Sequence, residues 1–221
     1  MKDLSIIQKY LLCAVNEKGI LSSLGTEKPV CFVAAGLLEL QLEGCLALEG
    51  KKAEVTGSLP EDQQYLRPLY DFIAEKSPVK IEKIVEAYRI AFTDRRMNEL
   101  LAAVGGSLAA LGMVEEGKAG LLGTKAAYVP TREAVRSVVE ELRSELLEEG
   151  PVTEDAAALT VLLDRGKCLK PYFSQFEQKE MRQKLKSLAD SPEGQMVKAM
   201  VEHIETLIAA LAASTVVATS M

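Results

Sequence analysis

The chain offers few groups suited to covalent chemistry. Its one histidine, His203, stands beside Glu202 and Glu205. A histidine metal site needs further Cys, His or carboxylate ligands at coordinating spacing, and no second histidine or nearby cysteine supplies them. No Ser or Cys sits close enough in sequence to form a nucleophile–base pair with it. His203 therefore reads as an ordinary, partly exposed helix residue. The four cysteines, Cys13, Cys31, Cys45 and Cys168, are scattered among apolar neighbours without a CxxC pair, which suits reduced core residues better than a disulfide or metal framework. The segment GLLGTKAAY, residues 120–128, places Lys125 after Gly-Thr, but the phosphate-loop pattern GxxxxGK[ST] is absent. Gly120 and Gly123 are better explained as hairpin residues. Glu140-Glu141 and Glu148-Glu149 look like a solvated helix face and its end, and no carboxylate pair stands out as an acid–base couple. The expectation is a protein that is not an enzyme and uses no cofactor and no metal.

Basic residues are the more informative set. Arg89, Arg95 and Arg96 gather around one predicted helix junction, with Lys118 and Lys125 on the hairpin that follows. Charges at such spacing are commonly no more than solvated surface. The sharper reading is an anion patch, in which a helix N-terminus, an arginine pair and a hairpin lysine converge. A phosphorylated lipid headgroup and a DNA backbone both suit that chemistry.

The elements that must hold these residues are mostly helical. Across 221 residues, 48% are hydrophobic but only 5% aromatic, there is no Trp, and Ala and Leu dominate, a composition that favours helix packed on helix. Apolar spacing predicts a helix over 4–15, with Gly19 as its C-cap. Residues 29–42 are apolar nearly all round and predict a central buried helix. A short hairpin follows at 45–55, around Gly50. Further helices are predicted over 62–74, after the Ser77-Pro78 cap, and over 93–111, where Gly105-Gly106 suggests the close approach of another helix. A second hairpin spans 113–129. Helices then follow Thr131, Thr153 and Ser191-Pro192, with a charged amphipathic one over 173–188. The expected fold is all-α, a single-domain helical bundle over 1–221 with two small β-hairpins. The apolar run from 207 to 218 is shorter than the roughly 20 residues that span a bilayer, and no signal peptide is visible. A cytoplasmic protein, peripheral on the membrane at most, is expected.

Read as a whole, the sequence resembles the Golgi phosphoprotein 3-like family, from about Leu4 to about Ala213. The resemblance rests on LLCAVNEKGILSSL, AAGLLELQLEGCLALEG, LAALGMVEEGKAGLLGTKAAYVP, EDAAALTVLLDRGKCLK and SPEGQMVKAMVEHIETLIAAL, in that order and spacing. Its glycine- and alanine-rich loops look like those of bacterial members. The resemblance implies a mostly helical, non-enzymatic peripheral membrane protein. It also implies binding of phosphatidylinositol 4-phosphate, a grip on the cytoplasmic tails of membrane enzymes, and a hairpin that serves membrane contact and self-association, here at Leu121 and Leu122. The tryptophan and three arginines of the eukaryotic headgroup pocket fall at Leu24, Val33, Asn98 and Leu101. The headgroup residues of this chain are therefore sought in Arg89, Arg95, Arg96 and Lys125.

Two functions follow as expectations. The first is recognition of anionic membrane lipid by that patch and hairpin, with homo-oligomerisation adding avidity. The second is a protein-interaction or regulatory module without lipid recognition. Its tail-binding form is stronger than a winged-helix form reading DNA with residues 93–111. A net charge of −6 repels nucleic acid and anionic membrane alike, so no nucleic acid is expected, and any anion site must be local.

Overall fold

At the centre lies α1, Ile6–Ala14, in which every residue is buried, Gln8 and Lys9 included. Burial of polar groups requires partners, and they come from distant parts of the chain. Gln8 Nε2 donates to Ser107 Oγ at 2.9 Å, Lys9 Nζ to Glu141 Oε1 at 2.6 Å, and the Ile6 amide to Glu39 Oε2 at 2.9 Å. The computed structural model describes residues 4–21, 26–89, 95–119, 125–191 and 195–213, apart from the side chains of Val85, Arg89, Lys125, Met196 and 211–213.

Helix α2, Glu27–Leu42, is buried from Val30 to Leu40, and α7, Glu154–Arg165, from Ala156 to Leu163. Runs that are apolar on every side bury every side, so α1, α2 and α7 pack on one another and form the middle of the core. Amphipathic helices surround them: α5 (Arg95–Ala110), α6 (Arg132–Leu147), α8 (Gln175–Ala189) and α9 (Gln195–Ala213). Their caps follow local chemistry. Thr131 and Thr153 accept from the amides of Ala134 and Ala156, each at 3.2 Å, and Ser174 with Glu177 forms a capping box. The fold is all-α in essence, with nine α-helices and two small antiparallel sheets among the described residues.

The first hairpin joins β1 (Leu46–Glu49) to β2 (Lys52–Val55), and gains a third strand, β3 (Val79–Lys80). Ala53 pairs with Val79 and Lys52 with Lys80. No helix therefore starts at Ser77-Pro78. Ser77 Oγ instead accepts from the Val55 amide at 2.9 Å, and α4, Ile81–Arg89, begins where the Ile81 amide reaches Lys51 O at 2.9 Å. The free edge of β2 captures two residues that local preference assigns to a helix. The helix expected over 62–74 divides into a 3-10 turn, Glu61–Leu66, and α3, Arg67–Ala74, which takes Pro68 in its first turn.

The second sheet pairs β4 (Val114–Ala119) with β5 (Lys125–Pro130). Its base is fastened to the core through Tyr128. The Tyr128 amide donates to Gly19 O at 2.9 Å, and its ring lies on Gly105, where a Cβ would come within 2.4 Å of Tyr128 Cγ. A strand tyrosine, not a second helix, thus explains the glycine at 105. Gly19 does not cap α1, which ends at Ala14 with Val15 extended. It turns the chain at φ +69 directly beneath the Tyr128 backbone, a conformation and a clearance that glycine alone meets cheaply.

Candidate functional site

The strongest candidate site is a groove of about 550 Å³ between α3, β3, α4 and α5. Alternation and helical period decide which side chains line it. In α3 the apolar stripe buries Leu69, Phe72 and Ile73, and Lys76 follows Phe72 one helical turn on. In β3, Val79 turns inward and Lys80 outward, as successive strand residues must. In α4, Ile81, Ile84 and Tyr88 are buried while Lys83 is exposed. In α5, Met97 and Leu100 turn to the core and leave Arg96 half-buried at the rim.

These constraints gather Lys76, Lys80, Lys83 and Arg96 around one groove, with Glu86 as the lone carboxylate of its lining among the described residues. Over those residues the local charge is +3 in a chain whose net charge is −6. Lys83 is held by Glu86 at 2.6 Å, which pushes its pKa upward. Lys76 and Arg96 instead dock on the Phe72 ring. Lys76 Nζ lies 4.2 Å, and Arg96 Cζ 4.6 Å, from the ring centroid, both within cation–π range. Tyr88 meets the same ring edge-on at 5.9 Å and 88° and is anchored by a 2.9 Å hydrogen bond from its hydroxyl to Pro68 O. Burial pushes the Tyr88 phenol well above its usual range, against the opposing pull of Arg96, so it stays a neutral donor. The arrangement can bind an anion.

Of the residues singled out from sequence, Arg96 lies in this groove. Arg95, next to it, points away into solvent and pairs with Glu99 at 2.8 Å. Arg89 ends α4 and Lys125 begins β5, their side chains being outside the described set, and Leu121 and Leu122 lie outside the described residues. Lys118 is exposed on β4. The base of the hairpin meets α5 at Gly105, nine residues or roughly 13 Å along the helix axis from Arg96. Sequence reasoning missed Phe72, Lys76, Lys80 and Lys83. Lysines at 76, 80 and 83 in EKSPVKIEK, and the Phe72–Lys76 spacing of four, were the available signals.

The remaining reactive groups are quiet. All four cysteines are free and buried, and burial pushes Cys13 and Cys31 up to about 12, far from thiolate reactivity. His203 Nε2 sits 2.6 Å from Gln41 Oε1, and burial lowers its pKa. Among the described residues no group of acidic, histidine or cysteine side chains could hold a metal ion, and no helix is long and apolar enough to cross a membrane. A second groove, about 570 Å³, lies between α6 and α8. It is lined by Leu146, Leu147, Phe176 and Glu180 among others, with Phe176 71% exposed.

Compared with known proteins, residues 7–204 match the family model of Golgi phosphoprotein 3 (GPP34). No curated protein matches the chain.

Proposed function

The chain belongs to the Golgi phosphoprotein 3 family, and on that premise we propose that it is a non-enzymatic peripheral membrane protein that recognises anionic lipid headgroups. The observation that carries this reading is the convergence of Lys76, Lys80, Lys83 and Arg96 on one groove in an otherwise acidic chain. Each basic residue close to an anionic surface contributes about 1 kcal/mol, so a net +3 groove alone binds weakly. Leu121 and Leu122, which fall between β4 and β5 in sequence, supply a second, apolar element, since stable membrane association takes two signals. Binding of phosphatidylinositol 4-phosphate in particular is what the family resemblance suggests. Exposed Glu115 and Glu116 on β4 disfavour DNA, because a wing must approach phosphates.

Liposome flotation tests the proposal. At low salt the protein rises with vesicles of anionic lipid and not with phosphatidylcholine alone. The triple variant Lys76→Glu, Lys80→Glu, Arg96→Glu stays at the bottom, and Leu121→Asp with Leu122→Asp weakens recovery. Failure of the wild type to float with any anionic vesicle ends this reading. A second reading, a protein-interaction module without lipid recognition, is favoured by one observation, the exposed Phe176 beside the groove between α6 and α8. Its test is capture of membrane-enzyme tail peptides by the wild type and loss of capture on Phe176→Ala.

A further inference from the structure

We infer that the groove is a site for a single phosphate monoester, clamped between Lys76 and Arg96 above Phe72. The inference rests on the proposed anion recognition and narrows it from a diffuse negative surface to one chemical group.

The geometry sets the size of the ligand. Lys76 Nζ and Arg96 Cζ both dock on the same ring, at 4.2 and 4.6 Å from its centroid. They lie no further apart than the sum of those distances, 8.8 Å. A phosphate group with a hydrogen bond of roughly 2.8 Å on either side spans about 8 Å. Both also line the same groove, so one phosphate seated there comes within reach of both cations. Larger anions are not needed to bridge them, and a carboxylate, with one charge, leaves one cation unmatched.

The ring also makes these two cations unlike ordinary surface charges. Phe72 is only 4% exposed and is fixed edge-on by Tyr88. Long flexible side chains held on a rigid ring lose little further freedom on binding, which is the basis of preorganised affinity. Among the described residues, neither cation is committed to a close carboxylate. Arg96 forms no ion pair among the described residues, and Lys76 reaches Glu75 only at 3.9 Å. Lys83, by contrast, is taken up by Glu86. Arg96 can offer its fork to two phosphate oxygens and Lys76 a point charge to the third. Lys80 stands at the rim as a third cation.

Charge favours the monoester over the diester. A monoester carries about two negative charges near neutral pH, and three terminal oxygens. A diester carries one charge and two free oxygens, and must lead two substituents out of the clamp. Two of the positions where the family's headgroup residues fall lie away from this site: Asn98 follows Arg96 by two residues, roughly 200° around the helix, and Val33 is buried at 3% exposure.

Such a phosphate is found on a lipid headgroup or on a soluble metabolite, and one set of measurements separates them. Phosphatidylcholine vesicles are loaded with phosphatidic acid, a monoester, or phosphatidylglycerol, a diester, at matched total charge. Free glycerol 3-phosphate is titrated calorimetrically. Wild type, Arg96→Gln, Lys76→Gln and the distant surface control Arg136→Gln, exposed on α6, are compared after circular dichroism confirms folding. The expected result is an affinity about tenfold higher for phosphatidic acid vesicles, in keeping with charge-assisted bidentate bonding. Arg96→Gln and Lys76→Gln each erase that preference, and Arg136→Gln keeps it. Equal binding to both vesicles overturns the inference and leaves the anionic-surface reading standing. A preference that survives both substitutions overturns it too. Binding of glycerol 3-phosphate that Arg96→Gln abolishes, with no vesicle binding, upholds the clamp and ends the lipid reading. Absence of binding to every probe ends both.

Discussion

Glu39 gives the sharpest test of how the core is assembled. Its carboxylate reaches from α2 to the start of α1, where Oε2 accepts the Ile6 amide at 2.9 Å, yet the residue is only 8% exposed. Burial raises its pKa to about 7, although the amides of Ile7 and Ile6 pull the other way, and Asp155 and Glu43 add smaller upward pushes. In the unfolded chain the same group titrates near 4.5. The fold therefore holds this proton more tightly than the unfolded chain does. The stability contributed by the protonated group is fully present below pH 4.5 and is lost as pH rises through about 7. At about 1.4 kcal/mol per pH unit, that interval corresponds to about 3 kcal/mol. Glu39→Gln retains an acceptor for the Ile6 amide and does not titrate. Urea unfolding of both proteins from pH 4 to 8 should show the wild type losing about 3 kcal/mol relative to the variant, most of it between pH 4.5 and 7. A stability difference that stays flat across that range, or one that moves in favour of the wild type, would mean that the amides of α1 outweigh desolvation and that the carboxylate is charged in the fold.

Three further outcomes are expected. Leu38→Ala, at a site 1% exposed in the middle of α2, should cost about 2–5 kcal/mol in urea unfolding, and a loss below about 1 kcal/mol would contradict the central position of that helix. Gly105→Ala puts a Cβ within 2.4 Å of Tyr128 Cγ and should cost about 1–3 kcal/mol by overpacking. Gly106→Ala, where a Cβ meets open space, should instead raise the melting temperature, worth up to about 1 kcal/mol from helix propensity. If both glycine variants behave alike, the ring of Tyr128 does not rest on α5 as described.

The helical fold, the buried middle helix and the caps at Thr131 and Thr153 were legible because they depend on residues close in sequence. Apolar positions at helical spacing bury one stripe or all sides wherever the helix ends up, and Thr131 and Thr153 cap helices that begin within three residues of them. The arginines at 95 and 96 were visible as charges, but not their separate fates. One residue is about 100° of helix, enough to send Arg95 to Glu99 and Arg96 to Phe72. What only the tertiary structure decided was pairing across long separations. The edge of β2 drew Val79 and Lys80 out of a helix. Tyr128 closed on both Gly19 and Gly105. The packing of α3 and α4 against α5 brought Lys76, Lys80 and Lys83 to an arginine at least 13 residues further along the chain. Such contacts depend on how helices pack and which strand edge is free, and a local pattern of residue types carries no record of either.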